Sequence, residues 1–404
     1  MTRIPRVPAA AAVIGLYLAL TAGSAFASHR YVVANNNVPD TNTVSIYELS
    51  GDTLGASLVS VTMLPTGGAG TGGGYPANMT VMVPGPRSYH CVFVGDSGSG
   101  DISAMKPIGT SPFLQVVGNF SHGDAASAGG LGLIVTATGF YANYTGNGDN
   151  IPPAIGVWAF DQTCFLTLYE HLPTQGIDGG PIDSMAGTPN GKYLIVAYID
   201  GSVGTYRTRG VGISLLSQEV IAGSGVGSGA YAGSVTISAD GKWAIFGDSS
   251  ASNTTQVDVA SVGLNGVLGP TTTYGGDGSL GSGLNATGIA FSPDNRFIYV
   301  VDSGSGQITT LSFDTTTGIV TYPNNCLTNL KDYNTNWSTA SQVDVIGDAG
   351  TGTGLYVSEG FLTGESYIAL LSINSQPGCT TELPHSPFTD PNGGSLQSIA
   401  TFTF

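Results

Sequence analysis

The chain has 404 residues, of which 41% are apolar, only 9% are charged and 61 are glycines. Apolar segments recur throughout, which argues against extended disorder, and long amphipathic helices would need more Glu, Lys and Leu. The formal net charge of −16 gives a surface that repels nucleic acid and anionic lipid. These features favour one large all-β domain with many tight turns and no nucleic-acid partner.

The N-terminus has the features of an export signal. Two arginines precede an apolar run over residues 9–23, and the small residues Ala25 and Ala27 fit a cleavage site. The run is short for a membrane span, and no second run follows it. We therefore expect a signal peptide over residues 1–27 and a mature domain over residues 28–404. That domain is expected to be secreted, extracellular or periplasmic, with no membrane span.

A repeated unit is clearest in residues 285–322. Apolar residues alternate up to a Ser-Pro-Asp-Asn turn, residues 297–301 form a β-branched and aromatic run, and two more strands follow around Leu311 and over residues 319–322. One small four-stranded sheet cannot bury both of its faces alone. The unit therefore needs copies of itself stacked against it.

Seven such units, of roughly 45 to 55 residues each, fill the chain. The first begins at its second strand, and residues 396–404 are expected to supply its missing innermost strand. In the third unit, residues 130–172, the segment 138–154 is predicted to be a long insertion between the second and third strands. The sequence thus predicts a seven-bladed all-β propeller whose ring is closed by the C-terminal strand pairing into the first blade.

Residues 292–314, SPDNRFIYVVDSGSGQITTLSFD, resemble the YVTN-type β-propeller repeat. That repeat occurs in secreted or surface propellers and in the seven-bladed lactonase-like (6-phosphogluconolactonase-type) family. The resemblance implies the propeller fold, and as an activity it implies a lactone hydrolase with a His/Arg/Glu cluster or a metal in the central mouth. This cluster has no residue-by-residue match here, since Arg207 and Arg209 fall on the third strand of blade 4 or its turn.

The four cysteines are an even number in an exported protein, which predicts disulfide bonds. Three pairings are possible. The repeat positions favour Cys91 with Cys164 and Cys326 with Cys379, because each pair then lies in one blade or in two adjacent blades. A metal site is less favoured, because no CxxC spacing occurs.

The turns between second and third strands share a face with the connections between blades, and we call it the ligand face. Several blades have an acid at this turn, and the acids would form a ring able to bind a cation or a polyhydroxyl ligand. The alternative is turn chemistry alone, since tight turns favour Asp before Ser or Gly. The members of this acidic ring are Asp96, Asp200, Asp248, Asp302 and Glu359, with Asn35 in the first blade.

The turns between first and second strands lie on the opposite face. Basic residues recur there, so the two faces of the disc are predicted to differ in charge. These residues are Arg87, Lys192, Lys242 and Arg296.

Two pairs of residues on the ligand face are candidates for catalysis. His122 and Asp124 are placed in the connection leaving blade 2, and His171 and Asp178 in the connection leaving blade 3. A neutral His beside a carboxylate could act as general base on a lactone, the carboxylate fixing its tautomer. The alternative is that all four are ordinary loop residues.

Two functions remain open. The first is an extracellular binding or scaffold module for a glycan or a protein, which the missing catalytic cluster favours. The second is a lactonase-like hydrolase of a sugar or dicarboxylic-acid lactone at the central mouth. No cofactor is expected apart from calcium, for which residues 145–150, TGNGDN, have oxygen ligands but lack the bidentate Glu of a calcium loop. We expect a monomer.

Overall fold

The computed structural model describes residues 30–50, 57–70, 80–83, 91–108, 113–121, 131–135, 139–144, 152–210, 212–221, 232–249, 255–275, 280, 286–302, 305–322, 326–331, 338–346, 354–361, 366–374, 378–390 and 398–403. Within these ranges the regular structure is all β-strand. None of the described segments forms a helix with the length and hydrophobicity that a bilayer crossing requires. The predicted signal peptide lies outside the described residues.

The strands form seven sheets, each the blade of a propeller. Blade 1 contains β1 (Arg30–Asn35), β2 (Thr43–Ser50), β3 (Ser57–Pro65) and β30 (Ser398–Thr403). Blade 2 contains β4 (Thr80–Val83), β5 (Cys91–Asp96), β6 (Asp101–Pro107) and β7 (Leu114–Ser121). Blade 3 contains β8 (Leu131–Val135), β9 (Phe140–Tyr144), β10 (Ala154–Phe160) and β11 (Leu166–Pro173).

The remaining blades follow in chain order. Blade 4 contains β12 (Ile182–Gly187), β13 (Tyr193–Tyr198), β14 (Ser202–Arg209) and β15 (Gly212–Val220). Blade 5 contains β16 (Ala232–Ile237), β17 (Trp243–Ser249), β18 (Thr255–Ser261) and β19 (Thr272–Gly275). Blade 6 contains β20 (Ala286–Phe291), β21 (Phe297–Asp302), β22 (Gln307–Phe313), β23 (Val320–Thr321) and β24 (Leu327–Asn329). Blade 7 contains β25 (Ser338–Ile346), β26 (Gly354–Phe361), β27 (Ser366–Ile373), β28 (Thr380–Glu382) and β29 (Phe388–Asp390).

The first strands of the blades form a closed ring around the axis. Each of β30, β4, β8, β12, β16, β20 and β25 contacts the first strands of the two neighbouring blades. The C-terminal strand β30 pairs antiparallel with β1, with Ala400 opposite Val33. The predicted seven-bladed propeller, closed by its C-terminal strand, is therefore confirmed. Closure of this kind removes open sheet edges at the join.

Hydrophobic clusters lie between adjacent blades and form the core. At the junction of blades 5 and 6, for example, Ile245 and Val257 pack with Ile298 and Leu311, all of them almost fully buried. A twisted sheet of β-branched and aromatic residues covers its neighbour's face in this way, so each blade completes the core of the next.

The sequence-based description of blade 3 is wrong in one respect. The segment 138–154 was expected to be an insertion, but it contains the second strand, β9, whose Tyr141 and Ala142 are fully buried. The strand order in this sheet is β11-β10-β9-β8, with β8 at the inner edge. Without β9, β8 and β10 would have no strand between them to pair with. Glycine and asparagine around this short run gave it the appearance of a loop.

On the opposite face, the turn between the third and fourth strands of one blade reaches the blade before it. Gly318, with φ of +74°, lies so close to the ring of Trp243 that a side chain at this position would collide with the ring. Glycine suits the turn because it adopts positive φ without strain. The same relation recurs at the two flanking junctions, between Gly266 and Tyr193 and between Gly378 and Phe297.

Two disulfide bonds also join neighbouring blades. Cys91 at the start of β5 is bonded to Cys164 in the third-to-fourth turn of blade 3. Cys326 of blade 6 is bonded to Cys379 of blade 7. Both pairings are the ones that the repeat positions favour, and they are confirmed.

Candidate functional site

The central mouth of the ligand face is bordered by the beginnings of the first strands, because each connection from the previous blade arrives there. Four consecutive first strands have a β-bulge near this end, where their pairing with the second strand shifts by one residue. A bulge leaves one residue out of the ladder and re-aims its side chain, and bulges are frequent beside active sites. The residues left out are Asp183, Gly233, Thr287 and Ser341.

Asp183 is the acidic member of this set. Its side chain is half-buried, and burial raises the pKa of its carboxyl group well above the ordinary value. Within the described part of the chain, no group donates a hydrogen bond to this carboxyl or forms an ion pair with it. An unpartnered carboxyl in such a place costs stability, and strongly perturbed groups of this kind cluster at functional sites.

The neighbouring residue Ser184 holds the bulge in place. Its hydroxyl accepts a hydrogen bond of 3.2 Å from the backbone N–H of Val235 in blade 5, and its side chain is buried. This bond fixes β12 against β16 immediately beside the bulge. Asp183 therefore stands on a rigid strand rather than on a loop, which suits a group that must be positioned accurately.

The described first strands contain few other groups that could take part in chemistry. They have no Lys, Arg or His, and their other acidic residue is Asp344. Asp344 lies toward the opposite end of β25, where it is paired with Tyr356. Asp183, whose pKa is raised by burial, is thus the acid–base group that these strands place at the mouth.

Asp96 of the predicted acidic ring is fully buried. Its carboxylate accepts hydrogen bonds from Asn42 Nδ2 at 2.8 Å, from Thr66 Oγ1 at 2.7 Å and from the hydroxyl of Ser103. Burial raises the pKa of Asp96 to about 6, although these hydrogen bonds act in the other direction. Asp96 therefore joins blade 2 to the connection that arrives from blade 1.

Asp200 of blade 4 binds the connection that arrives from blade 3 in the same manner, through hydrogen bonds. Its carboxylate accepts hydrogen bonds from the backbone N–H groups of Asp178 at 2.9 Å and Gly180 at 3.2 Å, and from the hydroxyl of Ser202 at 2.6 Å. Burial alone would raise its pKa, but the hydrogen bonds are stronger and lower it. A low pKa keeps this carboxylate ionised at neutral pH.

Asp302 is fully buried and accepts a hydrogen bond of 3.1 Å from the backbone N–H of Ser305. For Asp248 and Glu359 only the backbone is described, in β17 and β26. Three members of the ring thus have structural partners inside the protein. A ligand-binding role for the ring stays a prediction.

The structure describes two of the four residues that were predicted to be catalytic. His122 and Asp124 lie outside the described residues. His171 is half-buried on β11, the outermost strand of blade 3, and not in a connection as predicted. Asp178 does lie in the connection, with an exposed side chain. Their catalytic role stays a prediction.

Asp183 was missed by the sequence reasoning, although a signal was present. The first strands have small or apolar residues near their beginnings, and Asp183 is an acid in that pattern. Among the described residues, no group of three or more His, Cys, Asp or Glu side chains is placed to hold a metal ion. The predicted calcium segment, residues 145–150, lies outside the described residues.

No protein-family model and no curated protein sequence matches the chain. Several solved structures are similar to it. The Pseudomonas aeruginosa periplasmic gluconolactonase has a TM-score of 0.67 and 15% identity, over 93% of this chain and 99% of that one. A Bacteroides fragilis protein described as a candidate 6-phosphogluconolactonase has a TM-score of 0.65 and 14% identity, over 94% and 99%.

Another similar structure has a different name. It is a selenium-binding protein, hypothetical by its description, from Sulfolobus tokodaii, with a TM-score of 0.63 and 10% identity over 93% of this chain and 92% of that one. Identities this low show the fold alone, and one propeller fold serves many chemistries. The chain is thus similar in fold to seven-bladed propellers of the 6-phosphogluconolactonase type.

Proposed function

We propose that the protein hydrolyses a sugar or dicarboxylic-acid lactone at the central mouth, with Asp183 as general base. The observation that carries this proposal is the half-buried carboxyl group of Asp183, without a partner among the described residues and placed on a rigid strand beside the axis. The fold of the Pseudomonas aeruginosa periplasmic gluconolactonase supports the reaction class by analogy.

The chemistry requires a single base that later acts as an acid. The ionised carboxylate of Asp183 takes a proton from water, and the water oxygen forms a bond to the lactone carbonyl carbon. The ring C–O bond then breaks, and the departing ring oxygen takes the proton from Asp183. The product is a hydroxy acid whose own carboxyl group releases a proton to the solvent, and Asp183 is again ionised.

The test is hydrolysis of five- and six-membered sugar lactones by the purified mature protein, followed by proton release above the uncatalysed rate. Asp183→Asn removes the base with little change in shape, and it should lower kcat by about 100-fold or more. Wild-type kcat/KM should rise with pH through the raised pKa of Asp183, and this dependence should be absent from the variant. A variant with wild-type kcat would overturn the assignment.

The residues that the sequence predicted offer a competing assignment. His122→Ala, His171→Ala and Asp178→Asn test it in the same assay. Loss of turnover in these variants, with full activity in Asp183→Asn, would move the site to the connections of blades 2 and 3.

The extracellular binding module that the sequence favours stays a prediction. Failure to hydrolyse any lactone, with or without added calcium, would leave it as the working function and direct attention to glycans and protein partners. The two disulfide bonds fit an oxidising compartment, and we propose export to the periplasm or the cell exterior as a monomer.

A further inference from the structure

In the part of the chain that the structure describes, the Lys and Arg residues are concentrated on the face opposite to the mouth. Lys192, Lys242 and Arg296 immediately precede β13, β17 and β21, in the turns between first and second strands. Lys106 and Arg209 lie at the ends of β6 and β14, which point to the same face. A cation on that face lies across the thickness of the disc from a ligand at the mouth.

Among the described residues, the ligand face has one Lys or Arg, which is Lys331 in the connection that leaves blade 6. Its Nζ donates hydrogen bonds to the backbone carbonyls of Leu383 and Ser386, the second at 3.2 Å. It also lies 3.9 Å from Glu382 Oε1. Lys331 is therefore engaged at the junction of blades 6 and 7, near their outer strands.

The remaining connections between blades add no Lys or Arg. Their sequences contain neither Lys nor Arg, including the parts that lie outside the described residues: 71–79, 122–130, 222–231, 276–279, 281–285, 332–337 and 391–397. Acids are present instead. Asp178 is exposed, Asp200 is kept ionised by its lowered pKa, and Asp183 stands at the mouth itself.

From this distribution we infer that the mouth takes an uncharged, unphosphorylated lactone and discriminates against lactone phosphates. A phosphate carries about −1.5 to −2 charges at neutral pH, and protein sites that bind it supply Arg, Lys or clustered backbone N–H groups. Here a phosphate would meet like charge at the mouth, which disfavours its approach. The inference rests on the proposed lactone hydrolysis, and it restricts the substrate to the sugar lactones, because a dicarboxylic-acid lactone keeps one ionised carboxylate at neutral pH.

The test compares kcat/KM for the six-membered lactone of gluconic acid and for its 6-phosphate, at low and at high ionic strength. The neutral lactone should be preferred by at least about ten-fold at low salt. The preference should shrink at high salt, because salt screens the repulsion. A kcat/KM for the phosphate equal to or above that of the neutral lactone would overturn the inference while leaving the proposed function intact. Turnover of neither substrate, nor of any other lactone in the panel, would instead overturn the proposed function, and the inference with it.

Two exposed glutamines provide a matched pair of variants. Gln175 lies on the ligand face in the connection to blade 4, and Gln162 lies on the opposite face in the turn between β10 and β11. Gln175→Lys should raise kcat/KM for the phosphorylated lactone about two-fold at low ionic strength, and leave the neutral lactone unaffected. Gln162→Lys should change neither. If both variants raised kcat/KM for the phosphorylated lactone equally, the gain would not depend on which face carries the lysine, and the inference would be contradicted.

Discussion

Gly318 of blade 6 lies directly against the ring of Trp243 of blade 5. The indole Nε1 of Trp243 donates a hydrogen bond of 2.8 Å to the carbonyl of Thr315 in the same turn. Tyr193 has the equivalent arrangement one junction earlier, where its hydroxyl donates to the carbonyl of Leu264 at 2.8 Å. These aromatic side chains fasten consecutive blades to one another on the face opposite to the mouth.

Gly318→Ala should destabilise the protein by about 2 to 4 kcal/mol, because positive φ and overpacking against Trp243 add together. Gly210→Ala is the matched control. Gly210 also has positive φ, +61°, but its added Cβ would meet no atom within 4 Å. The control should therefore cost only about 1 kcal/mol. Urea unfolding followed by tryptophan fluorescence measures the free energy of unfolding of both variants. Equal losses of stability would contradict a close contact between Gly318 and the Trp243 ring.

The Cys91–Cys164 bond fills the corresponding place between blades 2 and 3 and closes a separation of 73 residues. The chain-entropy argument gives such a bond about 4 kcal/mol of stability. The double substitution Cys91→Ala with Cys164→Ala should lower the free energy of unfolding by about that amount, measured by urea unfolding under oxidising conditions. Added reductant should then lower the wild-type Tm more than that of the variant, which retains only Cys326–Cys379.

The fold could be predicted from the sequence because its turns are local. The segment Asp-Ser-Gly-Ser-Gly occurs at 96–100 and again at 302–306. The N–H groups of Gly100 and Gly306 donate to the carbonyls of Asp96 and Asp302 at 2.8 and 3.0 Å in both turns. A pattern of five residues therefore specifies the same reversal in two blades.

The site could not be predicted in the same way, because its geometry arises from pairing between strands. Asp183 leaves the ladder of β12 because Ile182 pairs with Tyr198 and Ser184 with Ala197, and no local residue pattern encodes that shift. The contact of Gly318 with Trp243 spans separate blades for the same reason. The acids of the turns were easier to see in the sequence, but Asp96 and Asp302 are buried.

The stability contributed by Asp96 should depend on pH. Its pKa is about 6 in the folded protein, against an ordinary value of 3.8, so the folded state holds the proton more tightly. This contribution is fully present below about pH 4 and is lost as the pH rises through about 6, a change of about 3 kcal/mol. The free energy of unfolding of wild type relative to Asp96→Asn should therefore fall between pH 4 and pH 7. A constant difference over this range would contradict the raised pKa.

Asp183→Asn should make the protein more stable at neutral pH while it removes activity. The folded-state pKa of Asp183 is raised, so its ionised form is less favourable in the folded chain than in the unfolded one, and the penalty grows as the pH rises above the ordinary value. An amide carries no such charge. Thermal unfolding should show a higher Tm for the variant at pH 7 and nearly equal Tm values at pH 4, whereas Asp178→Asn, an exposed acid on the same face, should match wild type at both. A lower Tm for Asp183→Asn at pH 7 would mean that the carboxylate stabilises the fold, and Asp183 would then lose the feature that marks it as a functional group.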